Sequence, residues 1–136
     1  ISEGTLAGLM GDASMMNGGK KIFQSKCATC HGLFGEGGIG PNLTDEFWLH
    51  GGQLMDIYRT VREGVPSKGM LAWERQLRPA ELMAVSSFVG TLLGTDPPNA
   101  KQPQGDRQVR QGPETMETEV ATDPDAAEAE VEPATS

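Results

Sequence analysis

The sequence predicts a small all-α domain whose core is completed by a bulky apolar group, and three observations carry that reading. Apolar residues recur at helical spacing in two stretches, Leu54, Ile57, Tyr58 and Val61, then Leu82, Val85, Val89 and Leu92. Only 37% of the 136 residues are hydrophobic and 18 are glycine, so the chain is loop-rich and buries little surface unaided. The third observation is the run Cys27-Ala28-Thr29-Cys30-His31, which uses both cysteines of the chain.

Two cysteines three apart, followed at once by histidine, form the attachment motif of c-type haem. Each thiol adds across one vinyl group of the porphyrin, and the neighbouring imidazole is then placed beneath the iron as proximal ligand. Three other readings are poorer. A zinc module would need Cys27, Cys30, His31 and His50, without the regular second ligand pair of structural zinc sites. A thioredoxin-like redox pair wants a βαβ setting that is missing here. A disulfide across two intervening residues would be strained and would staple nothing.

In chain order, residues 1–16 read as a flexible lead-in of small residues. Ser14 or Asn17 is the expected cap of a first helix running to about Lys26. Within it, the step from Gly19 to Phe23 suits a close helix crossing at the glycine, with the partner resting on the ring. After His31, Gly32, Gly35, Gly37, Gly38 and Gly40 frame Leu33, Phe34 and Ile39. No Gly-Lys-Ser/Thr follows and no strand precedes, so this is neither a phosphate loop nor a dinucleotide fingerprint, and it reads as backbone wrapped tightly round something bulky. Gly40-Pro41-Asn42-Leu43 ends the wrap; the Pro41 carbonyl is free to accept a hydrogen bond from His31 Nδ1–H and so orient the imidazole. Thr44 is the expected cap of a short turn, Asp45–Leu49. The amphipathic helix of the Leu54 stripe stops at Gly64, a loop spans Val65 to Trp73, and Pro79 opens the last helix, which Gly94 closes and which packs on the first.

The second axial ligand is sought among seven methionines and His50. Met70 stands in the loop beside Gly69, where backbone can approach the ring, and a thioether there raises the reduction potential. His50 is its rival. Six-coordinate iron leaves no open position for substrate, which favours electron transfer over a haem peroxidase. Tyr58, Arg59, Trp48 and Trp73 are candidates for the propionate side, and Pro41 and Leu43 are counted among the cofactor-binding residues.

Charge is unevenly spread. Residues 1–94 carry nine acidic and eight basic side chains, whereas residues 95–136 carry ten acidic and three basic, so the net charge of −8 belongs mostly to the C-terminal segment. No basic stripe argues for nucleic acid. That segment is Pro-rich, polar and lacks aromatics, and disorder is expected over 95–136. The domain proper is therefore 17–94. The stretch around Leu82–Leu93 is interrupted by Ser86, Ser87, Gly90 and Thr91 and is not expected to span a bilayer. The chain starts at Ile1, and the expectation is a processed or excised piece whose membrane anchor, if any, lies elsewhere.

The first helix, the Cys27–His31 motif, Gly40-Pro41-Asn42-Leu43, the methionine loop and the closing helix together resemble class I cytochrome c. The resemblance implies crossed first and last helices enclosing one covalent haem c. Pro41-Asn42-Leu43-Thr44-Asp45 with Trp48-Leu49-His50-Gly51-Gly52, Met70-Leu71-Ala72-Trp73, and Thr95-Asp96-Pro97-Pro98-Asn99-Ala100-Lys101 followed by Pro103-Gln104-Gly105 narrow it. They are similar to the C-terminal haem domain of the membrane-anchored, usually dihaem, c-type subunit of cbb-type cytochrome c oxidases. Departures are Leu71 in place of proline, His50 in place of tyrosine, a single haem motif and the acidic extension. The resemblance implies an electron-transfer domain rather than an enzyme, outside the cytoplasmic membrane in the periplasm. Its partners would be an upstream donor and a haem–copper oxidase core, with a free periplasmic shuttle as the alternative. Lys26 and Lys68 would rim the haem edge and steer an acidic partner.

Overall fold

A computed structural model describes residues 1–110 of the chain. In order, the elements are α1 (Glu3–Leu9), α2 (Ala13–Ile22), a π-helical turn at Phe23–Cys27, α3 (Ala28–His31), β1 (Phe47–Trp48), α4 (Leu54–Glu63), α5 (Pro79–Gly90) and β2 (Asp106–Arg107). Short 3₁₀ turns occupy Pro66–Lys68 and Trp73–Arg75.

The frame is set by α2 lying across α5. A Cβ at Gly19 would run into the carbonyl oxygen of Ala84 and come within 2.9 Å of Phe88 Cβ, so only glycine admits this approach. One turn on, the Phe23 ring meets Phe88 with centroids 5.6 Å apart. Phe23 and Val85 are wholly buried there, each worth about 1.5–3 kcal/mol of transfer free energy. The stripe Leu54, Ile57 and Val61 of α4 packs into the same cluster as Leu82, Val85, Val89 and Leu92. The helix caps follow from local chemistry: Asp56 accepts from the Gln53 amide at the start of α4, and Glu81 from the Arg78 amide at the start of α5.

Residues 1–16 differ from the expected flexible lead-in. Ser2 caps α1 through the Thr5 amide, and Leu6 is completely buried. Seven residues make no stable helix alone. Tertiary bonds hold it: Ser87 Oγ donates to the Leu6 carbonyl at 3.0 Å, and the Glu3 carboxylate accepts the Leu54 and Met55 amides. Glu3 thus satisfies the free amides at the N-terminus of α4 from across the chain. The α2 cap is Asp12, bonded to the Met15 amide, rather than Ser14 or Asn17. Thr44 caps no helix; its amide and hydroxyl both donate to Asn42 Oδ1, and the expected 45–49 turn contains β1. Helix α5 ends at Gly90 with Thr91 as its cap, ahead of Gly94.

The largest difference lies C-terminal to α5. Residues 95–110 form a strap over the domain. Gly94 N–H donates to Thr44, Lys101 N–H to Glu36, and β2 pairs antiparallel with β1, Phe47 opposite Arg107 and Trp48 opposite Asp106. Arg110 ends the strap, donating to the carbonyls of Gly52 and Gly90 while its guanidinium stands 5.8 Å from the Trp48 ring. The disorder expected from 95 onward therefore does not hold for 95–110; residues 111–136 lie outside the described part. Among the described residues no helix is long and apolar enough to cross a membrane.

Replacing Gly19 tests the crossing. Alanine gains about 1 kcal/mol of helix propensity, yet the clash with α5 backbone costs about 1–3 kcal/mol. Gly19→Ala is expected to lower unfolding stability, measured by chemical denaturation. Any gain contradicts the packing.

Candidate haem centre

The motif is delivered by a change of helix pitch. Helix α2 passes into the π turn, closed by Ala28 N–H on the Phe23 carbonyl, before α3 resumes at Ala28. The wider turn rotates the residues after it relative to the α2 face, a device common at functional sites. Cys27 and Cys30 are free thiols, both partly buried. Burial pushes the Cys27 thiol up to about 11; the neighbouring Cys30 adds to the rise and Lys26 opposes it. The sulfur is thus held as a neutral thiol.

Glycine backbone closes over the end of α3. Gly37 N–H donates to the His31 carbonyl and Gly40 N–H to the Cys30 carbonyl, both at 2.7 Å, so two carbonyls at a helix C-terminus are satisfied. A Cβ on Gly40 would lie 2.7 Å from His31 Cε1 and 2.9 Å from Nδ1. The loop therefore lies flush on the imidazole. His31 Nδ1 is 2.9 Å from the Pro41 carbonyl oxygen, a geometry in which the ring N–H donates and Nε2 is left with its lone pair. Burial lowers the His31 pKa; the Pro41 bond counteracts this and the Lys101 charge adds to it. A neutral ring fixed in one tautomer is what a metal ligand requires.

The remaining sequence candidates fall at several places. Leu43 is partly buried against the core, its amide bonded to the Gly35 carbonyl at 2.8 Å. Met70 also packs on the core and forms a two-way backbone bridge with Val65 across the Pro66–Lys68 turn, with Gly69 at φ 87°. Tyr58 and Trp73 are partly buried on the same cluster. Arg59 is exposed and paired with Asp56 at 2.8 Å. Trp48 is held between Gly52 and Arg110. His50 is exposed beyond β1. Lys26 Nζ stands 5.9 Å from the Trp73 ring, and Lys68 is exposed. Among the described residues no three His, Cys, Asp or Glu side chains are grouped to hold a metal ion, so a zinc module of Cys27, Cys30, His31 and His50 is not assembled.

The donor set suits haem: two thiols and an oriented imidazole on one helical turn, and a loop with no room for a Cβ against the ring. Sequence reasoning missed Asn42, Thr44 and Lys101, which brace this loop; Asn42 and Thr44 are nearly fully buried, and Asn42 Nδ2 donates to the Lys101 carbonyl at 3.1 Å. Two polar residues two apart after a proline were the available signal.

Comparison with known proteins decides the family. Residues 14–89 match the family model described as cytochrome c oxidase, cbb3-type, subunit III. The chain belongs to that family. It is 40% identical over 87 residues to the cbb3-type cytochrome c oxidase subunit FixP of Azorhizobium caulinodans, covering 62% of this chain and 29% of the relative. It is 36% identical over 92 residues to the CcoP subunit of an Azospirillum species, covering 58% and 31%. The chain thus spans about a third of the length of the relatives it matches. Among solved structures it is similar to cytochrome CL of Methylophaga aminisulfidivorans, with a TM-score of 0.55 at 22% identity, covering 62% of this chain and 57% of the other. The fold is that of a class I cytochrome c.

The Gly40 contact is testable by contrast with Gly38, where a Cβ would meet its nearest neighbour, the Cys30 carbonyl oxygen, at 3.2 Å. Gly40→Ala is expected to cost about 1–3 kcal/mol of stability and Gly38→Ala less. Equal losses in denaturant titrations would remove the claim that the loop sits flush on His31.

Proposed function

We propose that this domain is a one-electron carrier. One haem c would be joined to Cys27 and Cys30, with His31 and Met70 as its axial ligands. When bound, the haem supplies an Fe(III)/Fe(II) couple. The observation that carries the reading is the His31–Pro41 bond beside two free cysteines, since it leaves Nε2 as the only lone pair of a ring held in place. Met70 is favoured over His50 because it lies against the core in a turn closed by backbone bonds, whereas His50 is exposed.

In this role the residues act by position. Burial keeps the imidazole neutral and the Pro41 carbonyl keeps it oriented, so little would rearrange when an electron arrives. Leu43, Tyr58 and Trp73, partly buried against the core, would help to exclude water from the haem, which would sharpen electrostatic effects there. Arg59, whose guanidinium is exposed, would serve the haem propionates. With His31 and Met70 both held on the iron, no coordination position would be open to substrate, and the domain would act as a carrier rather than as an oxidase or peroxidase by itself.

The relatives are subunits of cbb3-type oxidases. By that likeness the domain would work on the periplasmic side of the cytoplasmic membrane. It would take electrons from an upstream donor and pass them toward a haem–copper oxidase core. Lys26 and Lys68 on the surface would orient an acidic redox partner.

Ferric haem bound by methionine sulfur has a weak far-red charge-transfer band. It is expected in the oxidised holoprotein and absent in Met70→Ala, which should keep its covalent haem and show a lower reduction potential. Persistence of the band in Met70→Ala would transfer the ligand role elsewhere.

A further inference from the structure

We propose that Lys101 is a positioning residue of the haem centre: the strap fixes it on the loop that presents Pro41 to His31, where its charge favours the reduced iron. The proposal rests on the His31 half of the reading above and is independent of Met70.

Lys101 is held from both sides. Its N–H donates to the Glu36 carbonyl at 2.8 Å, and its own carbonyl accepts from Asn42 Nδ2 at 3.1 Å. Asn42 is the residue after Pro41 and is locked in turn by the Thr44 amide and hydroxyl at 2.8 and 2.7 Å. A short covalent and hydrogen-bonded path therefore runs from the strap through Asn42 and Pro41 to His31 Nδ1. The side chain adds to it. Lys101 Cβ would lie only 2.7 Å from a Cβ on Gly37, so the stem lies along the glycine loop. Its ammonium ends 3.5 Å from the carbonyl oxygens of both Ile39 and Gly40. These contacts are long for hydrogen bonds and act mainly as ion–dipole attraction, drawing the loop onto the ring that Gly40 covers.

The charge is otherwise uncompensated. Lys101 makes no ion pair with a described residue. The nearest acidic group of the same loop, the Glu36 carboxylate, is turned toward Gly32 and accepts from the Phe34 amide at 2.9 Å. A fixed cation one residue from the proximal imidazole opposes the added positive charge of Fe(III) and so favours Fe(II). Lys101 neither gives nor takes a proton in doing so.

The test uses haem-loaded protein, equilibrated with a redox dye of fixed potential and followed by absorbance, at low and high salt. Lys101→Met and Lys101→Gln are expected to shift the equilibrium toward ferric protein by roughly twofold or more, while Lys101→Arg stays with the wild type. Solvent exchange of His31 Nδ1–H, followed by NMR on the reduced protein, should quicken in the two neutral variants only. Neutral variants with the wild-type potential overturn the proposal. Wild-type protein lacking the methionine band but showing the Lys101 shift would sink Met70 and keep Lys101. Protein that takes up no haem would overturn both.

Discussion

The hydrogen bond between His31 and the Pro41 carbonyl is the point on which the rest of the structure converges. One end sits on α3, a helix of four residues, and the other on a glycine-rich loop with almost no side chains to hold it. Neither is rigid alone. The helix end is fixed because the π turn joins it to α2, which is clamped on α5 at Gly19. The loop is fixed by three backbone amides returning to the carbonyls of Cys30, His31 and Gly35, and by Asn42 beneath the strap. The core is thus the support for one oriented imidazole, and its glycines are where backbone must touch that support.

How much of this was legible depended on whether the interaction was local in sequence. The α4 stripe and the Gly19-to-Phe23 step are repeated at helical spacing, so their packing could be read directly. The Pro41 carbonyl was legible for another reason: proline lacks a competing N–H, and the haem motif supplied the donor. Helix α1 left no such trace. Of its seven residues only Leu6 is fully buried, with Ala7 packed beside it, and its stability comes from Glu3 and Ser87 through contacts with α4 and α5. The polar, Pro-rich composition of the strap predicts disorder. The strap is ordered instead by backbone and side-chain hydrogen bonds to β1, Gly52 and Gly90, which need no apolar pattern. The π turn has no sequence signature that periodicity detects.

A cytochrome of this size relies on a prosthetic group for much of its core, and long loops link the helices around it. In such a chain the segments flanking the helical core serve as struts. Glu3 supplies from α1 the acceptors that α4 lacks at its N-terminus, and Arg110 ties the opposite end of the strap to α5. Family membership rests on residues 14–89, whereas α1 and the strap lie outside that span: α1 braces α4 and α5, and the strap holds the glycine-rich loop through Glu36 and Asn42.

The central claim, that this motif holds a covalent haem c, is tested most directly by intact mass under denaturing conditions after production with the haem-attachment machinery. The expected mass is that of the chain plus one haem, and that of the bare chain for the Cys27→Ala, Cys30→Ala double variant. A wild-type chain that releases its haem on denaturation, or gains none, would contradict it.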